Sequence, residues 1–217
     1  MIRVDRDRPI HIVLRYADNF AGTADTIKSH NEIARKSGYV WLGKLGYKTL
    51  SHTLIEDLNR RSKSRSAPLL YMVKCSRGRF TTHYAKIVET RRTKPRDAAH
   101  IPGYYPKDRP FSLWFKIRPF RPAQNYVLFS LIVISSRNPV SNSLASSMAP
   151  YFIVSEDEDR LAEILTHKAR FGTFPEMKSS KKGKPRGTRI KSEEELLRED
   201  LGIAEDDFEL INSFNNQ

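Results

Sequence analysis

The chain reads as an α+β domain, a small curved mixed β-barrel with about three helices filling its ends and a flexible tail behind it. Three observations predict this. Six or seven short strand patterns are interleaved with three helical ones. The strands crowd the middle of the chain, so regular strand–helix units are not favoured. And 217 residues, 39% of them hydrophobic and 29% charged, suffice for one well-buried domain plus appendages.

The elements follow in order. Pro9-Ile-His-Ile-Val-Leu-Arg-Tyr16 has the composition of a first strand. Residues 23–36 are helical by pattern, with Thr23 or Asp25 as N-cap and Gly38 as the stop. A strand from Tyr39 to Gly43 comes next. Leu50, Leu54, Ile55 and Leu58 then form an apolar stripe on a second helix, 51–61. Leu69–Cys75 and Phe80–Glu89 are strands joined by a Ser76-Arg-Gly-Arg79 hairpin turn. A Pro- and Arg-rich loop, 91–110, precedes a strand over 111–117. The nearly continuous apolar run 126–135 reads as a central strand and 135–147 as a polar loop. A short strand, 151–154, leads into a third helix ending near Lys168, with Ser155 and Glu158 as its capping box.

These elements place one domain in residues 1–176. Residues 177–192 hold seven bases and no acids around two glycines and a proline, the composition of a flexible linker. Residues 193–217 carry nine acids and one base, a tail of net −8. Since the whole chain has a net charge of +13, residues 1–192 carry +21, and so basic a body attracts polyanions. No apolar run approaches the ~20 residues of a membrane span, and the N-terminus lacks a signal-peptide core, so a cytoplasmic protein is expected. The single cysteine, Cys75, excludes an internal disulfide and reads as a small buried hydrophobe.

Chemistry-bearing residues concentrate in few places. Trp41, Gly43, Lys44 and Gly46 put an aromatic plane, two glycines and a cation within six residues, a place suited to a flat anionic ligand. Tyr104 and Tyr105 sit in a Pro- and Gly-bounded loop. Trp114 and Phe115 are adjacent on a strand and must face opposite ways. Ser136 and Asn138 offer short polar groups after the apolar run. Two basic clusters, Arg60, Arg61, Lys63, Arg65 and Arg91, Arg92, Lys94, Arg96, are natural phosphate contacts. None of the six histidines has metal-ligand spacing, and His30 reads as a buried or capping residue. No glycine-rich phosphate loop appears, so no cofactor is expected.

The helix leading into Gly38-Tyr-Val-Trp-Leu-Gly-Lys44, the paired strands 69–75 and 80–89, the Trp114-Phe115 strand and Ser146-Ser-Met-Ala-Pro-Tyr-Phe152 together resemble the PUA-like superfamily, close to its EVE, ASCH and YTH branches. The resemblance covers about residues 9–168. It implies a small curved barrel with a pocket that takes a flipped, often modified, base between aromatic side chains. Trp41 corresponds best to the pocket wall and Trp114 less well; the spacing departs from the EVE and YTH patterns.

The expected function is therefore binding of DNA or RNA, with a base, often modified, read in an aromatic pocket and phosphates held by basic loops. A restriction or phage-defence setting, with a nuclease or helicase partner, would suit such a reader. One alternative is an ASCH-like amidohydrolase acting on modified nucleosides, for which Lys44 is a candidate without a convincing glutamate partner. Another is an interaction or regulatory protein working through the acidic tail.

Overall fold

In the computed structural model, residues 9–18, 25–76, 79–107, 109–124, 126–147 and 149–171 are described. Thr23, the two central residues of the 76–79 turn, the 177–192 linker and the 193–217 tail lie outside these described residues.

Strand β1 (Ile10–Arg15) is almost wholly buried because it lies inside the sheet with both faces covered. It runs parallel to β3 (Leu69–Ser76) and antiparallel to β8 (Tyr151–Glu156). β3 continues through the hairpin into β4 (Arg79–Arg91), with Ser76 opposite Arg79. β4 is shared between two long neighbours: residues up to Lys86 pair with β3, and Ile87 to Arg91 pair with β5 (Phe111–Ile117). A register shift between Ile87 and Glu89 marks the corner, the bend that an extra residue gives a strand. β2 (Val40–Leu45) pairs with β5 at one end of the order, and β7 (Leu131–Val133) pairs with β8 at the other. The two-residue β6 (Arg121–Pro122) adds to β4.

The sheet is mixed and strongly bent, but it is open rather than a closed barrel. β2 and β7 share no ladder. Side chains reach across instead: the Tyr151 hydroxyl donates to the Thr49 carbonyl at 3.3 Å, just beyond β2.

Five α-helices occur among the described residues where about three were expected. Helix α1 (Thr26–Ser37) starts as its sequence dictates, with the Asp25 carboxylate accepting from the Lys28 N–H at 2.8 Å. It stops at Gly38, whose φ of +82° is the left-handed conformation that ends helices. Helix α2 (His52–Arg61) is capped by Ser51. The apolar run 126–135 is not a central strand. It divides into the single-turn α3 (Val127–Ser130) and the edge strand β7. A short apolar run cannot by itself tell a buried strand from a buried turn of helix. The expected loop after it contains α4 (Val140–Ser146), which buries Val140 and Leu144 one turn apart. Helix α5 (Glu158–Phe171) is capped by Asp157, which accepts from the Arg160 N–H, because Ser155 still belongs to β8. Cys75 is exposed near the end of β3, not buried. No helix among the described residues is long and apolar enough to cross a membrane.

Alternation along the strands separates two cores. Ile12, Leu14, Leu70, Met72, Ile87 and Phe115 meet α1 and α2 in the first. Val13, Tyr71, Val73 and Val154 meet Leu128 of α3 and Leu144 of α4 in the second. Arg15 clamps that second layer, donating to the carbonyls of Leu144 and of Ser147, the latter at 2.8 Å.

Candidate functional site

Because Val40, Leu42, Leu113 and Phe115 enter the first core, Trp41, Gly43, Trp114 and Lys116 project from the opposite face of β2 and β5. Among the described residues, Asp97, His100, Tyr104 and Tyr105 of the segment between β4 and β5 lie against that face. Trp41 is only 3% exposed, lying under the Arg91 guanidinium at 4.8 Å and the Lys116 ammonium at 5.9 Å from its ring centre. Cations over a ring face are worth about 0.5–2 kcal/mol each. Arg91 is also held by Glu89, its Nε donating at 2.9 Å. Lys116 sits 3.8 Å above the ring of Tyr39, and His100, from a 3-10 turn at Ala98–His100, stacks on that ring at 4.2 Å. The Tyr39 hydroxyl donates to Asp97 at 2.5 Å. That bond and the His100 ring keep the Asp97 carboxyl below the usual carboxylate range.

Gly43, Tyr104, Tyr105 and Trp114, all chosen from the sequence, do converge. Tyr105 lies 5.0 Å from Phe111, 4.9 Å from Tyr104 and 6.0 Å from Trp114, centre to centre. Trp114 is 1% exposed. Gly43 is needed for this packing: a Cβ there would lie 2.6 Å from Phe111 Cδ1 and 3.0 Å from Trp114 Cζ3. The rings therefore fill the space that the sequence assigned to a ligand.

A polar chain runs through this cluster. His30 is fully buried, and its Nδ1 lies 2.7 Å from the Thr26 carbonyl, so Nδ1 carries the proton and Nε2 accepts. The Tyr105 hydroxyl donates to Nε2 at 2.8 Å and accepts from the Gly43 N–H at 3.0 Å. Burial drives the His30 pKa down to about 4 and the Tyr105 pKa well up. Nothing in the sequence pattern paired His30 with Tyr105.

Lys44 is 7% exposed and faces away from Trp41. Its ammonium donates to the Lys48 carbonyl at 2.8 Å and lies 3.3 Å from the Leu45 carbonyl and 3.4 Å from Ser112 Oγ. Burial, and then the Lys48 charge, lower its pKa to about 8. None of these partners is a carboxylate, so among the described residues no glutamate pairs with Lys44 as the amidohydrolase alternative would need.

The two basic clusters, thirty residues apart in sequence, meet. The Asn59 side chain donates to the Thr90 carbonyl at 2.9 Å and accepts from its N–H at 2.6 Å, joining the end of α2 to the end of β4. Arg60 and Arg61 share Asp57, and Arg92 donates to the Leu50 carbonyl at 2.7 Å. Lys63, Arg65, Lys94 and Arg96 are exposed, and no ion pair holds them among the described residues. Ser136 and Asn138 lie elsewhere, in an exposed turn after β7 at the opposite end of the strand order, bonded only locally.

One feature escaped the sequence altogether. Between α1 and the β3–β4 strands lies an open cleft of about 780 Å³, lined by Tyr16, Asp18, Asn31, Lys74 and His83 among others. Burial pushes the Asp18 carboxyl up, but hydrogen bonds from Lys74 at 2.7 Å and the Thr26 N–H at 2.9 Å outweigh it and hold the pKa low. These residues come from the loop after β1 and from α1, β3 and β4, so no local pattern announces them.

A family model described as Pua-like matches residues 12–147, more than half of the chain. No curated protein and no solved structure matches it.

Proposed function

Since the chain belongs to the Pua-like family, we propose that it binds nucleic acid along the basic ridge where residues 60–65 and 91–96 meet. The observation that carries this reading is the Asn59–Thr90 clamp. It joins the ends of α2 and β4, from which the two clusters continue, and among the described residues no carboxylate pairs with their exposed cations Lys63, Arg65, Lys94 and Arg96. Phosphate oxygens supply what is missing, and such contacts position a strand without reading its sequence.

Base reading belongs to the aromatic cluster around Gly43, Tyr105 and Trp114. Its rings are in mutual contact, so a base, modified or not, enters only when the Pro102–Pro106 segment moves off the sheet. Unstacking that base costs a few kcal/mol, which phosphate contacts must offset. A restriction or phage-defence setting with a nuclease or helicase partner rests on the family resemblance alone.

The ridge is tested by replacing Lys63 and Lys94 together with alanine and following duplex affinity as salt is raised. Removing these two phosphate-bound cations should lower the slope of log affinity against log salt by ~1.8, about 0.9 for each. Binding should weaken about equally for all sequences. No binding by the wild type at low salt, or an unchanged slope in the variant, overturns the proposal.

A further inference from the structure

Tyr47 is 81% exposed, more than any other large apolar side chain among the described residues. Exposure alone is ordinary. What sets Tyr47 apart is the turn beneath it, between β2 and α2. Gly46, at φ +92°, opens the turn, and its N–H donates to the Pro110 carbonyl at 3.0 Å. The carbonyls that follow are tied down in sequence. Lys48 accepts from the Lys44 ammonium at 2.8 Å and from Ser112 Oγ at 2.7 Å. Thr49 accepts from the Tyr151 hydroxyl and Leu50 from Arg92. A turn whose backbone is so constrained loses little freedom when something stacks on the ring it carries.

The charged side chains in the turn or bonded to it are of one sign. Lys48 is exposed next to Tyr47, Lys44 lies beneath, and neither makes an ion pair among the described residues. Arg92, bonded to the same turn, begins the basic segment that runs to Arg96. A partner here must offer a flat apolar face close to negative charge, which is the description of a nucleotide. We infer that Tyr47 is a stacking platform for an unpaired base of a single strand whose phosphates follow Lys48 and residues 92–96. This rests on the nucleic-acid reading above and adds a base contact outside the buried aromatic cluster.

The test uses the full chain, an oligodeoxythymidylate of about ten nucleotides and a duplex of the same length. Tyr47→Ala should weaken single-strand binding roughly five- to 150-fold, the range expected when stacking on one base is removed. The salt slope should not change, because no cation is removed. Tyr47→Phe should bind like the wild type, duplex affinity should hold, and neither variant should melt lower. Undiminished single-strand binding by Tyr47→Ala overturns this inference and leaves the ridge standing. An equal loss in Tyr47→Phe assigns the contact to the hydroxyl and overturns stacking; a lowered melting temperature makes the residue structural and overturns it too. Absence of binding by the wild type removes both readings together.

Discussion

The outer face of β1, β3 and β8 and the outer face of β2, β5 and the second half of β4 belong to one bent sheet, yet they are closed in different ways. The first is covered by α3 and α4, whose apolar side chains fill most of the layer between, with His11 and Arg15 as polar members tied to neighbouring groups. The second is covered by a long irregular segment. Its backbone and side chains need partners from the sheet, and polar groups lie within or against it: His30, the Tyr105 hydroxyl, and the half-exposed cations over Trp41 and Tyr39. The difference teaches that aromatic richness on a face need not signal an open pocket. Rings are also what allow cations to lie against a sheet, because they accept positive charge on their faces while displacing water.

The largest effect that could break this comparison comes from truncating one residue on each face. Leu128→Ala should cost ~2–5 kcal/mol and Trp41→Ala ~3–5 kcal/mol, both read as a shifted midpoint of denaturant unfolding. A Trp41→Ala protein that unfolds with the wild type would mean the ring carries no structure, and the two faces would differ more deeply than their coverings do.

Acid sharpens the contrast next, through His30, whose pKa burial lowers where it meets Tyr105. With a folded pKa of about 4 against 6.5 for the free group, the unfolded chain binds more protons between those values. His30 therefore contributes its full stability above pH 6.5 and loses it as pH falls toward 4, by roughly 3 kcal/mol over the window. Carboxylates also titrate at the acid end, so the informative quantity is the difference between wild type and His30→Gln. The variant should show a shallower loss of melting temperature between pH 6.5 and 4; parallel curves would remove His30 as the cause.

The smallest effect is steric. Gly43→Ala places a methyl group against Phe111 and Trp114, and overpacking of this kind costs ~1–3 kcal/mol. Calorimetry on the variant would register it as a modest fall in melting temperature. No fall would show that the rings have room to yield, as entry of a base requires.

Much of the fold was legible because its signals are local. Asp25, Gly38 and Ser51 mark helix ends through bonds to residues three or four positions away, and the sequence states those spacings directly. Alternation likewise put Trp114 and Phe115 on opposite faces. The basic clusters were legible as residues, though not as one ridge. The run 126–135 misled because α3 and β7 are both buried and both apolar, leaving no polar periodicity to separate them. Cys75 misled because the apolar run around it gives no sign of where the strand leaves its cover.

The sequence by itself determined the strands and helices with strong caps or clean alternation and the strongly basic charge of the chain. Only the tertiary structure decided that the sheet stays open, that Asn59 and Thr90 fuse two distant basic clusters, and that Tyr105 seats its hydroxyl between His30 and Gly43. The physical reason is range. Caps and alternation act within a turn or a pleat, whereas closure, clamping and burial depend on which of many distant surfaces the chain brings together.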